Sequence, residues 1–194
     1  MKDLYVLANT WRCILPIALL RRDYLFQKDL SRWIQLRHLD GHGLLYSFSY
    51  LCLFYKEFRN VFLFRLNNLS KIKYLIGRLF WKPINTLFIN TSKIGGGLFI
   101  EHGFATVISA KEIGENCWIN QQVTIGYTNA NDAPIIGNNV SIKVGAIVIG
   151  NIHVGDNSVV GAGAVVTHDV KENVIVAGVP AKVIRTINDK TTER

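Results

Sequence analysis

The sequence predicts a mainly β chain: a parallel β-helix preceded by an N-terminal α-helical region. Three observations predict it. Apolar residues recur every six positions from about Lys93 to Val176, glycine often follows them directly, and apolar residues before position 85 recur instead at intervals of three and four.

The six-residue period runs through Ile94, Ile100, Val107, Ile113, Ile119 and Ile125, and resumes at Ile136, Ile142, Val148, Val154, Val160 and Val166. Each hexapeptide is expected to form a short strand and a tight corner, three of them closing one triangular coil. The aliphatic side chain points inward and stacks on its equivalents in the coils above and below, so stability comes from neighbouring coils. Small residues suit corners where a Cβ would clash. The pattern has one single-residue slip, between Ile100 and Val107, and one interruption. Five extra residues leave the coil within Tyr127–Pro134, a polar excursion of the kind that binds ligands.

In the first 84 residues, Leu45, Phe48, Leu51, Tyr55, Phe58, Phe62 and Leu66 fall at helical spacing. Ser70 is placed to cap a further helix carrying Ile72, Leu75, Ile76, Leu79 and Phe80, which Pro83 ends or kinks. Gly41 and Gly43 mark a turn. This region packs its apolar faces within the protein, or lays some of its aromatic and basic surface on a membrane. The expected division is a helical region over 1–84, a β-helix over 85–187 and a tail over 188–194.

The net charge of +8 is unevenly spread. Residues 1–84 hold 14 Lys and Arg against 5 Asp and Glu, whereas residues 85–194 hold 8 against 9. Attraction to an anionic surface therefore belongs to the N-terminal region. Nucleic acid is not an expected partner. The cysteines, Cys13, Cys52 and Cys117, are odd in number and widely spaced, which disfavours a disulfide framework or a thiolate metal site and fits a reducing cytoplasm. Cys13–Leu20 is too short and lacks the cleavage pattern of a secretory signal, and Leu44–Tyr55 falls short of the roughly 20 residues that span a bilayer. The expected location is cytoplasmic, with peripheral contact at the inner face of the cell membrane as an option for residues 1–84.

The hexapeptide pattern, the segment Ile100-Glu-His-Gly103, the run Gly161-Ala-Gly-Ala-Val-Val166 and the ending Ala177-Gly-Val-Pro-Ala-Lys182 resemble the hexapeptide-repeat acyltransferases. Within them, serine acetyltransferases and colanic acid-type polysaccharide O-acetyltransferases are the most similar. The resemblance covers about residues 85–187. It implies a left-handed β-helix, a homotrimer sometimes paired into a hexamer, and acetyl-CoA as co-substrate in clefts between β-helices, with no metal.

Acyl transfer from a thioester to an alcohol needs a base for the hydroxyl proton, and a neutral imidazole serves near pH 7. By resemblance, His102 is that base and Glu101 contacts the acceptor. By resemblance Ala162 contacts the CoA arm, Val144 and Thr167 lie beside it, and His168 matches a position beside CoA in the galactoside acetyltransferases; Gly145 leaves the backbone open to the arm, and Lys182 and Arg185 are placed to meet its phosphates. Gly145 N–H is a candidate oxyanion donor. Two departures from the serine enzymes stand out. The aspartate that orients their base corresponds to Leu87, and the Arg-His pair of their extruded loop corresponds to Asp132 and Ala133. Asp132 would repel an α-carboxylate at close range, so it is expected to face a different acceptor. A sugar hydroxyl, free or lipid-linked, is therefore expected over serine, with serine O-acetylation as the alternative. A non-catalytic trimeric β-helix module is the rival of another class. A zinc enzyme on the same coil is disfavoured, because His102, His153 and His168 lack the necessary ligand spacing.

Overall fold

The computed structural model describes residues 1–130 and 132–187; the expected tail at 188–194 lies outside the described residues. The helices are α1 (Lys2–Ala8), α2 (Trp11–Leu20), α3 (Tyr24–Leu36), α4 (Leu44–Phe54), α5 (Lys56–Leu69) and α6 (Lys71–Phe80). The strands are β1 (Leu87–Ile89), β2 (Phe99–Ile100), β3 (Thr106–Ile108), β4 (Glu112–Ile113), β5 (Trp118–Ile119), β6 (Thr124–Gly126) and β7 (Ile135–Ile136), then β8 (Ser141–Ile142), β9 (Ile147–Ile149), β10 (His153–Val154), β11 (Val159–Val160), β12 (Val165–Val166), β13 (Val174–Ala177) and β14 (Lys182–Thr186). Two compact units form. One joins Met1–Asn85 to the short segment Gly96–His102, and the other joins Thr86–Gly95 to the chain from Gly103 onward.

In the helical unit the apolar pattern over 44–66 is not one helix. Tyr55 has extended backbone, φ −122° and ψ 90°, and separates α4 from α5. Ser70 caps α6 as its spacing predicts, accepting the Ile72 N–H at 3.2 Å. Asp23 does the same for α3 through the Phe26 N–H at 2.7 Å. The core is aromatic: Phe26, Trp33, Phe48, Phe58 and Phe62 are buried, and their rings meet mostly tilted or edge-on. Cys13 and Cys52 are buried free thiols here, and burial pushes the Cys13 thiol up to about 12.

The second unit is a three-sided parallel coil whose core is three columns of aliphatic side chains. Ile108, Ile125, Val148 and Val166 stack in one, with half-buried Ile89 at its end. Ile94, Ile113, Ile136, Val154 and Val170 stack in the second. Ile119, Ile142, Val160 and Val176 stack in the third. Each buried side chain is worth about 1.5–3 kcal/mol of transfer free energy. Val107 corrects the periodic reading: it is only half-buried, and Ile108 occupies the core position instead. The coil also begins earlier than Lys93, because β1 already pairs in register with β3. It closes with β14 folding back antiparallel on β13.

The corners depend on two different residue types. Asn116, Asn139, Asn157 and Asn173 turn the chain with φ between +54° and +58°, the left-handed region that asparagine tolerates. Their amides form a ladder, Asn139 Nδ2 to Asn157 Oδ1 at 2.9 Å and Asn157 Nδ2 to Asn173 Oδ1 at 3.0 Å. Gly95, Gly114, Gly137 and Gly155, which follow core residues, have no positive φ; they are required by close approach. A Cβ on Gly155 would lie 2.5 Å from Glu172 N, and one on Gly114 would lie 2.7 Å from the Gly137 backbone.

Gly155→Ala should therefore destabilise the protein by about 1–3 kcal/mol through backbone displacement. Gly41→Ala, where a Cβ meets nothing within 4 Å, should be neutral or stabilising by up to about 1 kcal/mol. Urea midpoints of the two variants measure the difference.

Candidate functional site

The segment Gly96–His102 carries the predicted base, and the helical unit fixes it through buried polar contacts. Asp29 on α3 receives Arg65 of α5 in a two-pronged pair, Nε to Oδ2 at 2.7 Å and an Nη to Oδ1 at 3.2 Å. The same carboxylate accepts the Leu98 N–H at 2.8 Å. Burial pushes the Asp29 carboxyl up, while Arg65 and the Leu98 N–H pull against it. The ion is the state that leaves neither the buried guanidinium nor the amide unmatched. Trp33 Nε1 donates to Leu98 O at 2.9 Å and Arg32 to Gly97 O at 2.5 Å, so both polar groups of Leu98 are held from the helices.

Beyond this anchor, Glu101 is half-buried and accepts Arg37 at 2.7 Å. The Arg37 guanidinium sits 4.2 Å from the Tyr55 ring centroid and 5.0 Å from that of Phe99, an aromatic seat that fixes its direction. His102 follows with φ +62° and its side chain 63% exposed, its Nε2 3.9 Å from Glu101 Oε1. The left-handed conformation is shared with other corner residues, Ala105 and Gln122 among them, and here it turns the chain directly after Glu101. Glu57, at the start of α5, is buried close by. Burial raises its carboxyl above the ordinary value, the charges of Arg37 and His102 lower it, and Glu101 raises it again. Sequence reasoning reached Glu101 and His102 but missed Arg37 and Glu57. No local signal marked them: Arg37 is the C-cap of α3 and Glu57 lies in the first turn of α5, each among polar neighbours.

Leu87, which stands where the resemblance calls for an orienting aspartate, is buried in β1 of the other unit. In that unit, Val144 and Gly145 lie at one corner of the coil and Ala162 and Gly163 at the equivalent corner one coil on; Gly163 N–H donates to Val144 O at 2.9 Å. Gly145 and Gly163 have φ of +69° and +65°, and a Cβ on either would meet nothing within 4 Å. This bare edge of backbone fits the approach of an extended pantetheine arm. Thr167 Oγ1 and His168 Nδ1 are 3.0 Å apart and exposed just after β12. Lys182 and Arg185 are exposed on β14.

Two expectations need correction. Gly145 N–H already donates to Gln121 O at 3.2 Å, so it is engaged within the coil and is not a ready oxyanion donor. Asp132 does not face outward to an acceptor. It accepts the Thr128 N–H at 2.8 Å, the Asn129 N–H at 2.9 Å and Asn129 Nδ2 at 3.0 Å, together with the Thr128 hydroxyl. These bonds, the Thr128 hydroxyl first, hold its carboxyl below the usual range and make it the organiser of its own loop.

The coil carries hexapeptide repeats: residues 133–168 match the family described as "Bacterial transferase hexapeptide (six repeats)". It has the left-handed β-helix of that repeat. The chain as a whole resembles serine acetyltransferases in sequence and in fold. It is 42% identical to a serine acetyltransferase of Synechococcus elongatus over 97 residues, 48% of this chain and 40% of that one. It is 36% identical to one from Buchnera aphidicola over 148 residues, 71% of this chain and 57% of that one. The chain thus spans about half the length of these relatives. Among solved structures, the soybean serine acetyltransferase apoenzyme superposes with a TM-score of 0.64 at 30% identity, covering 81% of this chain and 66% of that one. A Brucella abortus serine acetyltransferase in complex with coenzyme A gives 0.67 at 26% identity, covering 88% and 72%.

The raised Glu57 carboxyl has a consequence for stability. A carboxyl that ionises less readily folded than unfolded costs stability once the pH rises above its ordinary value of 4.5, and costs nothing below it. Glu57→Gln should therefore raise the Tm by about 2–4 °C at pH 8, with the difference vanishing near pH 4. Thermal unfolding across that pH range measures it.

Proposed function

We propose that this protein is an acetyl-CoA-dependent O-acetyltransferase with His102 as general base. The observation that carries the proposal is the exposed imidazole on a left-handed corner, fixed behind by Glu101, Arg37 and the anchored Leu98. Acetyl-CoA supplies an activated thioester whose thiolate leaves readily. His102 takes the acceptor hydroxyl proton as that oxygen forms the new ester bond, and the same proton is available to the departing sulfur. The imidazolium formed in this step is matched by Glu101, and Glu57 adds a second carboxylate to its surroundings. The groups proposed to receive CoA are Val144, Gly145, Ala162, Thr167 and His168 along the coil, with Lys182 and Arg185 for its phosphates. A homotrimer, in keeping with the hexapeptide-repeat resemblance, is proposed as the assembly.

L-Serine is the acceptor that the relatives support. The case for a sugar hydroxyl loses the argument from Asp132, since that carboxylate is engaged by its own loop. A saccharide stays as the second reading on one observation: Tyr127–Pro134 carries no Lys, Arg or His to receive an α-carboxylate.

Release of free thiol from acetyl-CoA tests both points. L-Serine should drive release, and His102→Ala should lower turnover by about 10²–10⁴-fold with CoA affinity little changed. Wild-type turnover in that variant would remove His102 as the base. Release with sugar nucleotides or oligosaccharides but not with serine would establish the second reading.

A further inference from the structure

The helical unit turns an apolar stripe outward. On α6, Ile72, Leu75 and Leu79 occupy one face at helical spacing and are 70%, 60% and 83% exposed. The opposite face is closed onto α5 by Gly77, where a Cβ would come within 2.5 Å of Leu66 Cδ1. The outward face is therefore not a core face left open by loose packing. α2 lies beside α6: the Trp11 and Phe80 rings are 6.4 Å apart, and the Arg12 guanidinium sits 3.9 Å from the Trp81 ring centroid. α2 adds exposed Trp11, Ile14 and Leu15.

The charge on these two helices has one sign, and Asp23, which follows Arg22, is taken up as the N-cap of α3. Neither α2 nor α6 contains an acidic residue, and exposed Lys71, Arg78, Arg21, Arg22 and Lys82 lie on or next to them. No single helix among the described residues is long and apolar enough to cross a membrane. α1 and α2 together reach that length and apolarity, but they bend by 61° between them. An apolar face with a tryptophan, bordered by cations, matches the chemistry of a bilayer surface, apolar below and anionic at the headgroups.

We propose that the face formed by α2 and α6 docks on an anionic lipid bilayer, the helices lying along the surface without crossing it. The proposal narrows membrane contact from the whole basic region to these two helices, and it stands whichever alcohol accepts the acetyl group. The competing occupant is a second copy of the same helices, which solution mass distinguishes.

The test is co-sedimentation of the full chain with phosphatidylcholine vesicles made with or without phosphatidylglycerol, at low and high salt. It compares the wild type with an Ile72→Ser, Leu75→Ser, Leu79→Ser variant. All three positions are exposed, so circular dichroism should be unchanged. Binding should be about tenfold stronger with the anionic lipid, weaken in high salt, and fall by about tenfold or more in the variant at unchanged light-scattering mass. Absence of wild-type binding, equal binding by the variant, or a smaller solution mass for the variant would each overturn it.

Discussion

The pair between Asp29 and Arg65 is the constraint on which the rest of the site depends. Both side chains are buried, and one carboxylate answers a guanidinium and a backbone amide together. Removing either partner alone would leave a buried charge unmatched, at a cost of about 3–5 kcal/mol. What the pair secures is the path of a short extended segment. Leu98 is gripped at its amide by Asp29 and at its carbonyl by Trp33, and Glu101 and His102 follow within four residues. The candidate base on its exposed corner thus has a rigid segment behind it.

Charge around the base is arranged in a complementary way. Arg37 is immobilised by aromatic rings and fixes Glu101, whose Oε1, the oxygen that accepts Arg37, lies 3.9 Å from the imidazole. Glu57 adds a second carboxylate that burial makes reluctant to ionise. Keeping such a group at the start of α5 carries a stability cost at neutral pH.

The coil meets its own constraint differently. Coils can stack closely only where a Cβ is absent or where an amide closes the corner. Hence glycine follows the core residue at one corner and asparagine ladders run along another. The bare corner at Gly145 and Gly163 is a third solution, in which the left-handed conformation and not space demands glycine.

The six-residue period alone determined the three-sided coil, because stacking requires an inward aliphatic side chain once per strand and every coil repeats the demand. The motif around His102 likewise singled out that imidazole as the candidate base, with Glu101 beside it. Local pattern could not determine which of Val107 and Ile108 faces the core, since the answer depends on how the corner at His102–Ala105 absorbs the slip. Nor could it show that Asp132 caps its own loop, that the Gly145 amide is engaged, or that Arg37, distant in sequence, binds Glu101 with Glu57 buried nearby. Those facts arise from hydrogen bonds and burial between residues far apart in the chain, which only the tertiary structure decides.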